Sequence, residues 1–173
     1  MAPAPSTPEL LIRDFTPDEL PAAVCDLLYN GLYRDFGVAP DQDWLHSDEV
    51  GRFYVATSTT GTLCGVGRLM PLAPEFPDRG PQIRQLITAP AMRGRGVGTA
   101  VLETLENTAV AQGAAGVWLK ARIMAWGFYE KRGYRFEGAG FSCGEHMDED
   151  GLFISQLTGI PHRVMTKRLQ SGL

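Results

Sequence analysis

Gln85-Leu86-Ile87-Thr88-Ala89-Pro90-Ala91-Met92-Arg93-Gly94-Arg95-Gly96-Val97-Gly98-Thr99-Ala100-Val101-Leu102 is the stretch on which the reading of the fold turns. Ile83 to Thr88 reads as a strand, and Ala89-Pro90 closes it. Glycines at 94, 96 and 98 let the backbone adopt positive φ and approach a ligand with no Cβ in the way. Val97, Val101, Leu102, Leu105 and Ala109 repeat at i, i+4 and i+3 spacing, so a helix follows, and Gly113 is placed to end it. The unpaired N–H groups and the positive dipole end of that helix face the same spot as the glycines. Arg93 and Arg95 add positive charge. Strand, glycine turn and helix together read as an anion-binding site.

Spacing separates this turn from two familiar phosphate loops. A mononucleotide loop of the form G-x-x-x-x-G-K-[ST] needs a Lys, and none follows these glycines. A dinucleotide turn needs G-x-G-x-x-G, whereas the third glycine here comes one residue early. It also needs an acid after the next strand, where this chain has Leu119-Lys120-Ala121.

Upstream of the turn, Leu10 to Phe15 reads as a first strand. Thr16-Pro17-Asp18-Glu19 looks like a helix start, although Pro21 moves the first full turn later. Leu20, Val24, Leu27, Leu28 and Leu32 carry the helix to about Arg34. Gly37 to Asp48 reads as loop or short helix. Phe53 to Thr57 and Leu63 to Met70 read as strands joined by Thr60-Gly61, with Gly65 and Gly67 marking a bulge or a close backbone approach. Downstream, Val117 to Leu119 is a short strand and Ile123 to Lys131 a helix stopped at Gly133. Tyr134 to Phe141 alternates like a strand, and Pro161 to Leu169 is a last one. This order predicts an α+β fold: a mixed, mostly antiparallel sheet of six to seven strands with helices on both faces.

The 173 residues fit a single domain, here expected over 10–173, behind a Pro- and Ala-rich lead-in at 1–9 read as disordered and not as a signal peptide. A net charge of −4 argues against a nucleic-acid binder, which needs a basic face. No apolar run approaches the length of a membrane span. Cys25, Cys64 and Cys143 are widely spaced, as in reduced thiols of a cytoplasmic protein.

The quoted stretch resembles the central motif of the GNAT family of N-acetyltransferases: a strand, a Pro-bearing link, R/Q-x-x-G-x-G/A, and a helix. Arg93, Gly96 and Gly98 fall on its defined positions. Phe128-Tyr129-Glu130-Lys131-Arg132-Gly133-Tyr134 is similar to the family's F-Y-E-K-x-G-F signature. The Gly159-Ile160-Pro161-His162 run before a terminal strand resembles the ElaA-type branch. The resemblance implies a V-shaped opening between two diverging parallel strands. It implies acetyl-CoA as cosubstrate, no metal, an amine as acceptor, and is compatible with a homodimer. Ile87 and Thr88 would hold the pantetheine, and Arg93, Gly94, Arg95, Gly96, Val97, Gly98 and Thr99 the pyrophosphate. The Tyr129 hydroxyl would lie near the thioester sulfur.

Acyl transfer to an amine needs a base for the amine, a donor for the oxyanion and a proton for the departing thiolate. Tyr129 can act as the acid, and a backbone N–H near Ile87 can polarise the carbonyl. Family members often place a Glu on the strand before the motif, but here that strand reads Gln82-Ile83-Arg84-Gln85. That departure motivates a rival reading, a catalytically inactive acetyl-CoA-binding regulatory module. His162 has the right intrinsic pKa for a base, and His46, among Asp41, Asp43 and Asp48, is a weaker candidate. Arg122 stands where many relatives carry an Asn, and is read as either a cofactor contact or a solvated helix residue. Cys143, Glu145, His146, Asp148, Glu149 and Asp150 crowd one extended segment, whose alternating faces disfavour a metal site. As an acidic loop this segment could instead attract a cationic amine.

Overall fold

The computed structural model describes residues 2–3, 6–41, 51–72, 79–141 and 143–170. Trp44, His46 and their acidic neighbours Asp43 and Asp48 lie outside the described residues.

Strands β1 (Leu10–Phe15), β2 (Arg52–Ser58), β3 (Leu63–Leu69) and β4 (Ile83–Thr88) form an antiparallel meander in that spatial order. A second sheet is built around β8 (Pro161–Arg168). One edge of β8 pairs along β5 (Gly116–Arg122); the other takes β6 (Arg135–Phe136) and β7 (Leu152–Ile154). The expected mixed sheet is therefore present as two halves. They meet at one parallel bridge between Gln82 and Trp118, beside which the Trp118 N–H donates to the Pro81 carbonyl at 3.3 Å. From that apex β4 and β5 run side by side without pairing, and a wedge opens between their far ends. Gly80, at φ 72°, sits at the apex, and the carbonyl of Gly116 occupies the place where a side-chain Cβ would stand.

Two helices clamp the meander from opposite faces. Alternation along β2 sends Phe53 and Val55 to one side and Tyr54 and Ala56 to the other. On the first side, α1 (Ala22–Leu32) buries Val24 and Leu28 against Phe53, Val55 and Val66. On the second, α2 (Val97–Ala111) buries Val97, Val101, Leu102, Leu105 and Ala109, the stripe read from the sequence, against Ala56, Leu119 and Met165. Burying five such side chains contributes on the order of 10 kcal/mol of gross hydrophobic free energy.

The strand nearest the wedge is irregular. Val66 faces Ile87 and Arg68 faces Arg84, so Gly67 alone opposes both Gln85 and Leu86. This is a β-bulge, and Gln85 takes a left-handed φ of 53°, at a cost of about 1–2 kcal/mol for a residue with a Cβ. The bulge or close approach expected at Gly65 and Gly67 is present as well: Cys64 of β3 is an extra residue opposite the Ala56–Thr57 step of β2, and a Cβ on Gly65 would stand 3.0 Å from the Ile87 carbonyl oxygen.

Other departures are local. Pro21 does delay the first helix, which begins at Ala22 after a 3-10 turn at Pro17–Glu19. The helix expected from Ile123 is split into a 3-10 turn, Ile123–Ala125, and a short α3 (Trp126–Glu130). Of Tyr134 to Phe141 only β6 is strand: the Glu137 N–H still reaches the Val164 carbonyl at 2.9 Å, and Gly138 to Gly140 then turn away. The Asp148 carboxylate accepts from the N–H groups of Asp150 and Leu152, each at 2.9 Å, and sets the turn into β7. No helix among the described residues is long and apolar enough to cross a membrane.

Candidate active site

The glycine turn connects the wedge to α2. Gly94 and Gly96 have φ of 74° and 80°, a conformation that favours glycine, and the helix begins at Val97, inside the motif. Its first bond runs from the Ala100 N–H to the Gly96 carbonyl at 3.0 Å. The N–H groups of Val97, Gly98 and Thr99 therefore have no acceptor within the helix. A cavity of about 600 Å³ lies there, lined by Ile87, Thr88, Arg93, Gly94, Gly96 to Thr99, Phe128, Tyr129 and Arg132, among others.

Arg95 is not part of that lining. Its Nε donates to the Ser6 carbonyl at 3.4 Å and its Nη1 lies 3.5 Å from Met92 Sδ, so the side chain turns toward the N-terminal segment. Thr7 also rests on the turn, 2.9 Å from where a Cβ on Gly96 would stand. Arg132 supplies the charge on the other side. Its Nε donates to Thr99 Oγ1 at 2.8 Å, its Nη1 to the Phe128 carbonyl at 2.7 Å, and its guanidinium lies 3.7 Å from the Phe128 ring centroid. Sequence reasoning assigned Arg132 no role. The available signal was its place four residues after Phe128, one helical turn on the same face.

A second cavity, of about 500 Å³, adjoins the first and shares Leu86, Ile87, Arg93, Met124, Ala125 and Tyr129 with it. Tyr129 stands at the junction, on α3, with only 8% of its surface exposed. Burial pushes its hydroxyl above the usual tyrosine pKa, and the charge of Arg122 opposes that shift in part. Among the described residues no group hydrogen-bonds the hydroxyl, whereas the neighbouring Tyr134 donates to Glu106 Oε1 at 3.4 Å.

His162, at the start of β8, lines the second cavity only. Its ring stacks on Phe153 with centroids 5.4 Å apart and planes 19° apart. Nδ1 lies 2.8 Å from the Ile160 carbonyl. A carbonyl only accepts, so Nδ1 carries the hydrogen and the lone pair is left on Nε2. Burial holds its pKa below the usual histidine value, and Arg122 and Lys120 add to this; the Ile160 carbonyl and Glu145 act against it.

Arg122 ends β5, so it is not the solvated helix residue that was one of the two alternatives read from the sequence. It lines the second cavity and not the first, and it is a strand residue, half-buried. Tyr33 and Gln85 complete the wall, with Gln85 Nε2 donating to the Tyr33 hydroxyl at 2.9 Å. Of the acidic segment at 143–150, none lines either cavity; Glu145 comes nearest through an ion pair with Lys120 at 3.1 Å. Among the described residues no three His, Cys, Asp or Glu side chains are grouped to hold a metal.

Comparison with known proteins agrees with this layout. The model of the acetyltransferase (GNAT) family matches residues 14–134, and the chain belongs to that family. No curated protein matches the chain closely enough in sequence to be informative. Among solved structures, a protein of Lactobacillus plantarum is similar at a TM-score of 0.68 and 23% identity, over 93% of this chain and 99% of that one. Escherichia coli ElaA is similar at 0.63 and 16%, over 92% and 100%. A GNAT family acetyltransferase from Elizabethkingia anophelis, solved with acetyl-CoA bound, is similar at 0.64 and 16%, over 92% and 98%. At these identities the likeness is one of fold: the acyl-CoA N-acyltransferase architecture.

Proposed function

We propose that the protein is an N-acetyltransferase that moves an acetyl group from acetyl-CoA to a primary amine by direct attack of the amine on the thioester. The carrying observation is that two cavities meet at Tyr129, one with the features of a phosphate cradle and the other holding a neutral imidazole.

The first cavity suits the cofactor. Three unpaired N–H groups at the start of α2, the positive dipole end and the guanidiniums of Arg93 and Arg132 converge where a pyrophosphate would sit. Nothing stands within 4 Å of where a Cβ on Gly94 would be, so that side of the turn is open. Ile87 and Thr88 line the route from the turn to Tyr129. Acetyl-CoA supplies an acyl group activated as a thioester; the chain supplies the remaining steps.

His162 Nε2 takes the proton of the attacking amine. The bulge at Gln85 and Leu86 interrupts β4 pairing, and a backbone N–H near Ile87 would polarise the acetyl carbonyl. As the C–N bond forms the C–S bond breaks, and the Tyr129 hydroxyl donates to the departing sulfur. Its raised pKa keeps the hydrogen in place across the working pH range, so the phenol acts chiefly as a hydrogen-bond donor while sulfur gains charge.

Incubation with acetyl-CoA, a thiol-detecting reagent and a broad amine panel tests the proposal. Amine-dependent thiol release supports it. Tight CoA binding without release from any amine would instead identify an inactive CoA-binding module.

A further inference from the structure

The second cavity is basic. Arg68, Arg84, Arg93, Lys120 and Arg122 line it, and among the described residues no carboxylate does. Lys120 already has Glu145 as its partner at 3.1 Å. Arg122 is held differently. Its Nη2 donates to the Leu32 carbonyl at 2.8 Å, and its guanidinium lies 5.5 Å and 6.0 Å from the ring centroids of Phe36 and Tyr33. No carboxylate among the described residues pairs with it, and its other N–H donors have no protein acceptor there.

A guanidinium keeps its charge when it is partly desolvated, and burial works against that charge here. A half-buried cation without a counter-charge is costly, and a ligand that brings the counter-charge relieves the cost. The planar fork, fixed by a carbonyl on one side and two rings beside it, suits two oxygens of one anionic group. His162 is the register partner of Arg122 across β5 and β8, so an anion on Arg122 lies beside the imidazole. A polycationic amine entering the same space would meet like charge.

We propose that the acceptor is an amine that also carries an oxyanion, a carboxylate or a phosphate, and that Arg122 binds this group while the amine faces His162. This rests on the acetyl-transfer reading of the two cavities. The acidic segment at 143–150 then has no part in drawing in a cation; Glu145 neutralises Lys120 and leaves Arg122 as the anion site.

The test uses matched pairs of amines. Common α-, β- and γ-amino acids are set beside their amides, phosphoethanolamine beside ethanolamine, and spermidine serves as the polycation. Thiol release from acetyl-CoA is measured for each, and each is also titrated calorimetrically into the CoA-saturated protein, where no turnover occurs. The expected result is that the preferred acceptor is an anionic member, favoured over its neutral partner by about 10- to 100-fold in kcat/KM and in affinity, as for a charge-assisted hydrogen bond. Arg122→Gln should remove that preference by raising KM for the anionic member, with CoA affinity unchanged, and Arg122→Lys should restore part of it. The carboxylate and phosphate pairs show which oxyanion is used. Faster turnover of neutral or polycationic amines, or anion binding that ignores Arg122→Gln, overturns the proposal and leaves acetyl transfer standing. Anion-dependent binding to the CoA complex with no thiol release from any amine overturns acetyl transfer and leaves the anion site standing. Where Arg122→Gln fails to fold, the discrimination between paired amines by the wild-type protein decides.

Discussion

Arg122 and His162 face each other directly across the antiparallel pairing of β5 and β8, at the end of the ladder where β5 has parted from β4. Cross-strand partners emerge on one face of a sheet, so both side chains enter the same cavity. The cation contributes, after burial, to keeping the imidazole neutral. The proposed anion site and the proposed base are thereby fixed to one another by backbone pairing.

The pH dependence follows from that relationship. On the proposed mechanism the neutral form of His162 is the competent base, present above its folded pKa and lost as pH falls through it. Because that pKa is depressed, the acid limb of kcat/KM should lie below about 6.5, the ordinary histidine value. Arg122→Gln should move the limb to higher pH, since a like charge is removed. His162→Gln should abolish it and lower kcat about 100-fold. An identical limb in His162→Gln would assign the base elsewhere.

Tyr129→Phe removes only a hydroxyl that makes no hydrogen bond within the described protein, so the fold should be nearly indifferent to it. Turnover should fall by about 10²-fold with CoA affinity almost unchanged. Thiol-release kinetics beside CoA calorimetry gives both numbers; unaltered kcat would remove Tyr129 from the reaction.

Gly96 and Gly113 bracket the same helix, both at left-handed φ, 80° and 87°. Replacing either with Val costs about 1–2 kcal/mol of backbone strain. Of the two, Gly96 alone lines the first cavity, the one proposed to hold CoA. Gly96→Val should therefore weaken CoA at least about tenfold, on the scale of one lost charge-assisted contact, while Gly113→Val should lower the melting temperature alone. Equal effects on CoA would make the turn merely structural.

Away from the cavities, Glu106 is buried on α2 and receives Lys167 Nζ at 2.8 Å and 3.0 Å and the Tyr134 hydroxyl. Lys167→Met strands the carboxylate and should cost about 2–3 kcal/mol, less than for a fully buried pair because the lysine is partly solvated. Urea unfolding measures it. Glu106→Leu combined with Lys167→Met should recover most of the loss.

Much of this was legible in the sequence because periodicity and glycine spacing are local. The α2 stripe, β4 and the Arg93–Thr99 turn needed no knowledge of distant partners. Arg122 was not legible: its place depends on β5 extending past Leu119 to pair with β8, a non-local match that no spacing encodes. The side-chain direction of Arg95 was hidden for a similar reason. Its charge was visible, but the direction of its side chain is set by Ser6, far away in the chain. The irregularity beside Gly65 was marked by its glycine, whereas the bulge on β4 was not, because Gln85, the residue that carries it, has no such mark.

Gly80 lies against the carbonyl of Gly116 at the apex of the wedge, and neither glycine lines a cavity. That point is the fulcrum of a lever. From it, β4 extends six residues, about 20 Å, toward the reacting groups. A tilt of about 3° at the fulcrum moves the far tip by about 1 Å over such a length, and a misplacement of about 1 Å can cost about 100-fold in rate. A methyl group added at Gly80 would wedge the arms apart at their shortest radius. On the proposed reaction, the reach between thioester and amine would thus be gauged at a glycine outside both cavities.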